Sequence, residues 1–285
     1  MIELLSEPFT YNYMVKAMAA SALVGTVCAL LSVFLMLKGW SLIGDALSHA
    51  VVPGVAGAYA LGLPYTVGAF FTGFLAATAI LALNQIARLK QDAVIGFVFS
   101  SFFAAGLLLI SLNPTSINIT AIIYGNILGM SDADLWQIIA ISALTLLIIA
   151  LKWRDFMLLF FDETQAVASG LAVNRWKVIF FAMLSAAIVA SLQAVGAILV
   201  IALVITPGAT AYLISDRFGR VLIIAMVIGF VTSLGGAYLS YFIDGVTGAI
   251  IVVLQTVIFL LVFAFSPKYG VLARQWRQKK AVAHG

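Results

Sequence analysis

Long apolar stretches separated by short polar punctuation run through this chain almost from end to end. A helix rises 1.5 Å per residue, so about 20 apolar residues are enough to cross the hydrocarbon core of a bilayer. Read with that ruler, the pattern predicts spans near Met14–Leu37, Leu42–Leu61, Tyr65–Leu83, Ala93–Leu112, Leu135–Leu151, Val178–Val195, Ala197–Ile214, Val221–Tyr241 and Ala249–Phe265. The sixth and seventh of these run together around Gly196. The expectation is an all-α, polytopic membrane protein with about eight to nine transmembrane helices. Between the fourth and fifth spans, NPTSINITAIIYGNILGMSDAD is too polar and glycine-rich to cross, and its middle, Ala121 to Leu128, suits a short interfacial or re-entrant helix.

Composition narrows the class. Of 285 residues, 64% are hydrophobic and 9% charged, with a mean hydropathy of +1.16. That leaves no room for a separate soluble unit, so residues 1–285 read as a single transmembrane domain. The lone cysteine, Cys28, excludes an internal disulfide and a cysteine-based zinc site. The start, MIELLSEPF, lacks a basic segment before an apolar core, so no cleavable signal peptide is expected. The net charge is +4, but its placement says more than its size. In the nine-span reading every Lys and Arg except Lys16 falls on one side of the membrane, while Glu3, Glu7, Asp132, Asp134 and Asp244 fall on the other. The positive-inside rule then puts the C-terminus in the cytoplasm, with residues 266–285 as a basic tail near anionic lipid. Basic residues scattered over short loops do not suit a nucleic-acid partner.

One span carries ionisable groups. GDALSHAVVPGVAG, from Gly44, holds Asp45 and His49 four residues apart, hence on one helical face. A charge inside a membrane costs about 2.5–3.5 kcal/mol on insertion scales and is rarely retained without use. A carboxylate and an imidazole side by side suit a divalent first-row transition metal. The third member of that face, Pro53, has no N–H to give the His49 carbonyl, which is expected to remain free. A second stripe, Ala46, Ala50, Gly54 and Ala58, invites close approach by another helix or subunit. In a later span Pro207 has the same capacity to kink or gate a helix. A difficulty of depth accompanies this reading: a span starting near Leu42 places Asp45 close to the cytoplasmic end, whereas transport sites lie near the midplane.

The longest stretch between spans, Lys152 to Lys177, contains DETQAVASG, where Asp162 or Thr164 can cap a short helix, Glu163 occupies its first turn and Gly170 ends it. Spacing alone fits an ordinary amphipathic connector as well as a docking element. There is no G-x-x-x-x-G-K-[ST] loop, so any ATP must be bound by another subunit. There is no H-E-x-x-H, and two histidines cannot furnish a histidine-rich metalloenzyme site; no enzymatic activity is expected.

These residues, together with DAVIGFVFSSFFAAGLL from Asp92 and TPGATAYLISDRFGR from Thr206, resemble the membrane permease subunits of bacterial ABC importers for manganese, zinc and iron. The resemblance runs from about Tyr13 to Tyr269 and is greatest to enterobacterial manganese/iron permeases. It implies a type II importer fold, like that of vitamin B12 permeases, in the bacterial inner membrane. It further implies Asp45 and His49 as metal ligands, and Asp162, Glu163, Ala166 and Gly170 as an ATPase-coupling helix. The implied partners are a second permease protomer, identical or similar, cytoplasmic ATP-binding subunits and an extracytoplasmic metal-binding protein. Divalent Mn, Fe or Zn would be cargo and not a resident cofactor. The competing reading from the residues is a secondary metal transporter driven by an ion gradient.

Overall fold

The computed structural model describes residues 6–86, 89–112, 129–266 and 270, and every regular element among them is helical. Arg88, the 121–128 segment, and the tail beyond Ser266 except Gly270, with its basic residues and His284, lie outside the described residues.

The helices are α1 (Asn12–Lys38), α2 (Ile43–Ala50), α3 (Val52–Ala60), α4 (Tyr65–Ile86), α5 (Gln91–Leu112), α6 (Asp132–Phe161), α7 (Glu163–Ala168), α8 (Val173–Val195), α9 (Ala197–Ile214), α10 (Phe218–Ile243) and α11 (Thr247–Phe265). Seven of them, α1, α4, α5, α6, α8, α10 and α11, are long and apolar enough to cross a membrane. The predicted seventh span coincides with α9, whose apolar run Leu199–Ile214 is shorter. Gly196, at φ +80°, makes the division from α8 that hydropathy left blurred.

The structure adds detail to two predicted spans. The second is divided into two short helices, α2 and α3, at Val51, which itself keeps helical angles of φ −76° and ψ −18°. Pro53 sits in the first turn of α3, where its missing N–H is tolerated. The fifth span ends where expected, after Leu151: α6 kinks at Lys152, at φ −126° and ψ 16°, and a second helical piece runs on to Phe161. Much of the 152–177 segment is therefore helix.

α1 and α8 form the buried centre, while α5, α6 and α11 present most of their surface outward. α1 crosses α10 with backbones touching: a Cβ on Gly229 would lie 2.4 Å from the Gly25 carbonyl oxygen. The two ends of the bundle differ in chemistry. At one, Lys38 and Lys177 meet Glu163, Lys152 faces the Trp176 ring, and Trp153 stacks on Phe218. At the other, Lys16 pairs with Asp132, and Phe9 and Tyr11 contact Tyr238 and Tyr241. An aromatic belt of that kind suits a membrane–water boundary.

Candidate metal path and docking helix

α2 begins just after α1 turns at Gly39, whose φ of +76° is left-handed and is open to glycine without strain. The Trp40 amide donates to the Leu35 carbonyl at 2.8 Å, and the Trp40 carbonyl accepts from Ile43 N–H at 3.3 Å, which opens α2. One turn of α2 then brings Nε2 of His49 to 3.4 Å from Oδ1 of Asp45. The side chains remain 33% and 41% exposed, respectively, on a helix whose other residues are buried. Among the described residues no third His, Cys, Asp or Glu joins them to form a metal cluster.

The imidazole has aromatic company that the sequence reading missed. Phe99 and Phe103, one turn apart on α5 and stacked on each other, meet the His49 ring edge to face at 5.4 and 5.5 Å. Such pairs limit ring rotation and are worth about 0.5–1.5 kcal/mol beyond burial. Phe99 and Phe103 lie about 12 and 18 Å along α5 from Gln91, at 1.5 Å per residue, so His49 packs beside the middle of that helix.

The small-residue stripe is used inside the protomer. Ala46, Ala50, Gly54 and Ala58 are all buried, and Gly54 lies against the backbone of Gly68 on α4. The stripe seats α2 and α3 among their own helices and is not left over for a second subunit. The His49 carbonyl, expected to be free, is approached by the Val51 N–H. Pro207 lies within α9, which continues through it as one helix, and α9 packs on α2.

α7 forms as its sequence predicts. The Asp162 carboxylate accepts from Gln165 N–H at 3.0 Å, and Gly170 takes φ +79° as the helix ends. Ala166 is fully buried. Glu163 pairs with Lys177, itself nearly buried, and with Lys38 at 3.6 Å. Partial burial would raise the Glu163 carboxyl, but the Lys177 hydrogen bond and the charges of Lys177 and Lys38 outweigh it and hold the group below the usual carboxylate range. Asp162, Glu163, Ala166 and Gly170 therefore shape and anchor the helix from within. The surface it offers outward is made by Thr164, Gln165, Val167 and Ala168.

The family described as "ABC 3 transport family" matches residues 10–266. The chain is similar to the chelated iron transport system membrane protein YfeC of Yersinia pestis, with 60% identity over 284 residues, 100% of this chain and 97% of that protein. It is also similar to the manganese transport system membrane protein MntB of Synechocystis sp., with 46% identity over 275 residues, covering 96% and 90%. Among solved structures it resembles PsaBC from Streptococcus pneumoniae in complex with Fab, with a TM-score of 0.85 at 33% identity over 96% of this chain and 100% of that one.

Proposed function

We infer the function from one premise: the chain belongs to the ABC 3 transport family. It is the membrane-spanning permease of an ATP-binding-cassette transporter that carries a divalent transition metal, with iron and manganese the metals named for its relatives. Zinc, which the sequence resemblance also brought in, is not named for the relatives described above. Import is the direction that goes with the family, and the fold is read as the type II importer arrangement.

The observation that carries the site is the Asp45–His49 pair, partly exposed on an otherwise buried helix. Two ligands are too few for a transition metal, which usually takes four to six. A second permease protomer facing this one would supply the rest, and two carboxylates would neutralise a divalent ion. The break at Val51 lets α2 reorient against α3, which suits a site that must open to each side in turn; a bend at Pro207 would act on the same helix through α9. α7 is read as the element that docks on a cytoplasmic ATPase, with Val167 and its exposed neighbours as the contact. A metal-binding protein would deliver the ion at the end that carries Asp132 and Asp244, and the basic end would be cytoplasmic.

Asp45→Asn keeps shape and removes charge, and His49→Ala removes the nitrogen ligand. Uptake of radioactive manganese and iron, in cells lacking other importers, should be lost in both variants at normal membrane levels of the protein. Wild-type uptake by either variant would dismiss the pair as the metal site.

A further inference from the structure

α2 is an eight-residue helix bounded by two interruptions, the turn at Gly39–Leu42 and the break at Val51. A short rigid piece between two joints moves as its joints dictate. What grips the first joint is therefore what controls Asp45 and His49.

Two grips are present: one meets α7 directly, and the other meets the helices that precede and follow it. Lys38, the last residue of α1, is 3.6 Å from the Glu163 carboxylate in the first turn of α7. Trp40 is 5% exposed, with its ring centroid 6.0 Å from Phe160 and 5.4 Å from Phe181. Phe160 lies in the last turn of α6, just before α7, and Phe181 lies in the third turn of α8. The aromatic block continues through Phe180 to Phe34 and Phe156, so α1, α6 and α8 meet there as one packed body. The indole N–H has no hydrogen-bond partner among the described residues, so the ring is held by packing alone. The backbone of Trp40 meanwhile accepts the first amide of α2.

We propose that Lys38 and Trp40 are positioning residues that pass the movement of α7 to α2, Lys38 through Glu163 and Trp40 through Phe160 and Phe181. This rests on the reading of α7 as the ATPase-docking helix and of α2 as the metal helix, and it names the route between them. The ion pair meets α7 directly, and the ring cluster reaches it through α6 and α8, which flank it in the chain. Their effect is on coupling and not on binding, since neither side chain touches Asp45 or His49.

The test uses the full-length permease assembled with its ATPase in liposomes, measuring manganese carried inward per ATP hydrolysed. Lys38→Gln and Trp40→Ala should lower that ratio roughly two- to thirtyfold while hydrolysis continues. Trp40→Phe should restore it, because a phenyl ring fills much of the same aromatic slot. Adding Lys38→Gln to Glu163→Gln should lower the ratio no further than Glu163→Gln alone, since Lys38 acts through Glu163. An unchanged ratio in Lys38→Gln and Trp40→Ala overturns the proposal. So does a proportional fall of hydrolysis and transport that Trp40→Phe leaves uncorrected, because that is the mark of a merely structural role. Failure of the underlying reading looks different: the unaltered complex itself moves no manganese, and the route falls with it.

Discussion

Gly54 and Gly68 meet backbone to backbone where α3 crosses α4: a Cβ on Gly54 would lie 2.0 Å from the Gly68 carbonyl oxygen, and one on Gly68 would lie 2.1 Å from that of Gly54. The contact seats the helix pair that carries Asp45 and His49. Neither backbone can yield without moving its helix, so this crossing sets where α3 lies.

A side chain at Gly54 must push the two helices apart. Gly54→Val should destabilise the protein by about 1–3 kcal/mol, the usual cost of overpacking. Gly57, on the same helix, has open space around its Cβ direction. Gly57→Ala should be neutral or add up to about 1 kcal/mol through helix propensity. Thermal unfolding in detergent measures both, and equal effects at the two positions would contradict the crossing.

Acid should loosen α7. The Glu163 carboxyl is depressed in the folded protein by Lys177 and Lys38 against the opposing pull of burial. A depressed carboxyl contributes stability that is fully present above its unfolded pKa, about 4.3, and is lost as pH falls through its lower folded value. A spin label at Val167, which is 61% exposed, should therefore become more mobile as pH is lowered from 7 through 4 and below. In Glu163→Gln its mobility should be high throughout and insensitive to that change. A flat profile in the unaltered protein would remove Glu163 as the anchor.

The orientation is open to a direct check. Ser169 is exposed at the end of α7, and Cys28 is buried and replaceable. A cysteine at Ser169, with Cys28→Ala, should resist a membrane-impermeant maleimide on intact cells and react once the membrane is opened. Reaction from outside would reverse the assignment of the basic end to the cytoplasm.

Several features of the fold were legible because they depend on neighbours in the chain. α9 matches its predicted limits, Ala197 to Ile214, since apolar length and the flanking Gly196 are local signals. The cap by Asp162 and the stop at Gly170 are equally local, and α7 formed where they put it. The helical piece beyond the kink at Lys152 was not legible: the charges of Lys152, Arg154 and Asp155 end a hydropathy span, but they do not stop the chain from starting a further helical piece. Nor was the break at Val51, because VVPG fits a kinked helix and a fresh helical start equally well.

The sequence by itself determined the class of molecule, the residue types of the Asp45–His49 pair and their place on a common face. These follow from composition and from the 3.6-residue period. Only the tertiary structure decided what surrounds them. Phe99 and Phe103 read as two more apolar residues until α5 lies beside His49. Glu163 and Lys177 are fourteen residues apart and meet only because the chain reverses through α7. Gly54 needs Gly68, and Lys38 needs Glu163, for their placement to have consequence. Helical period and hydropathy act along the chain, whereas close packing and ion pairing act through space, and the folded bundle alone brings those partners together.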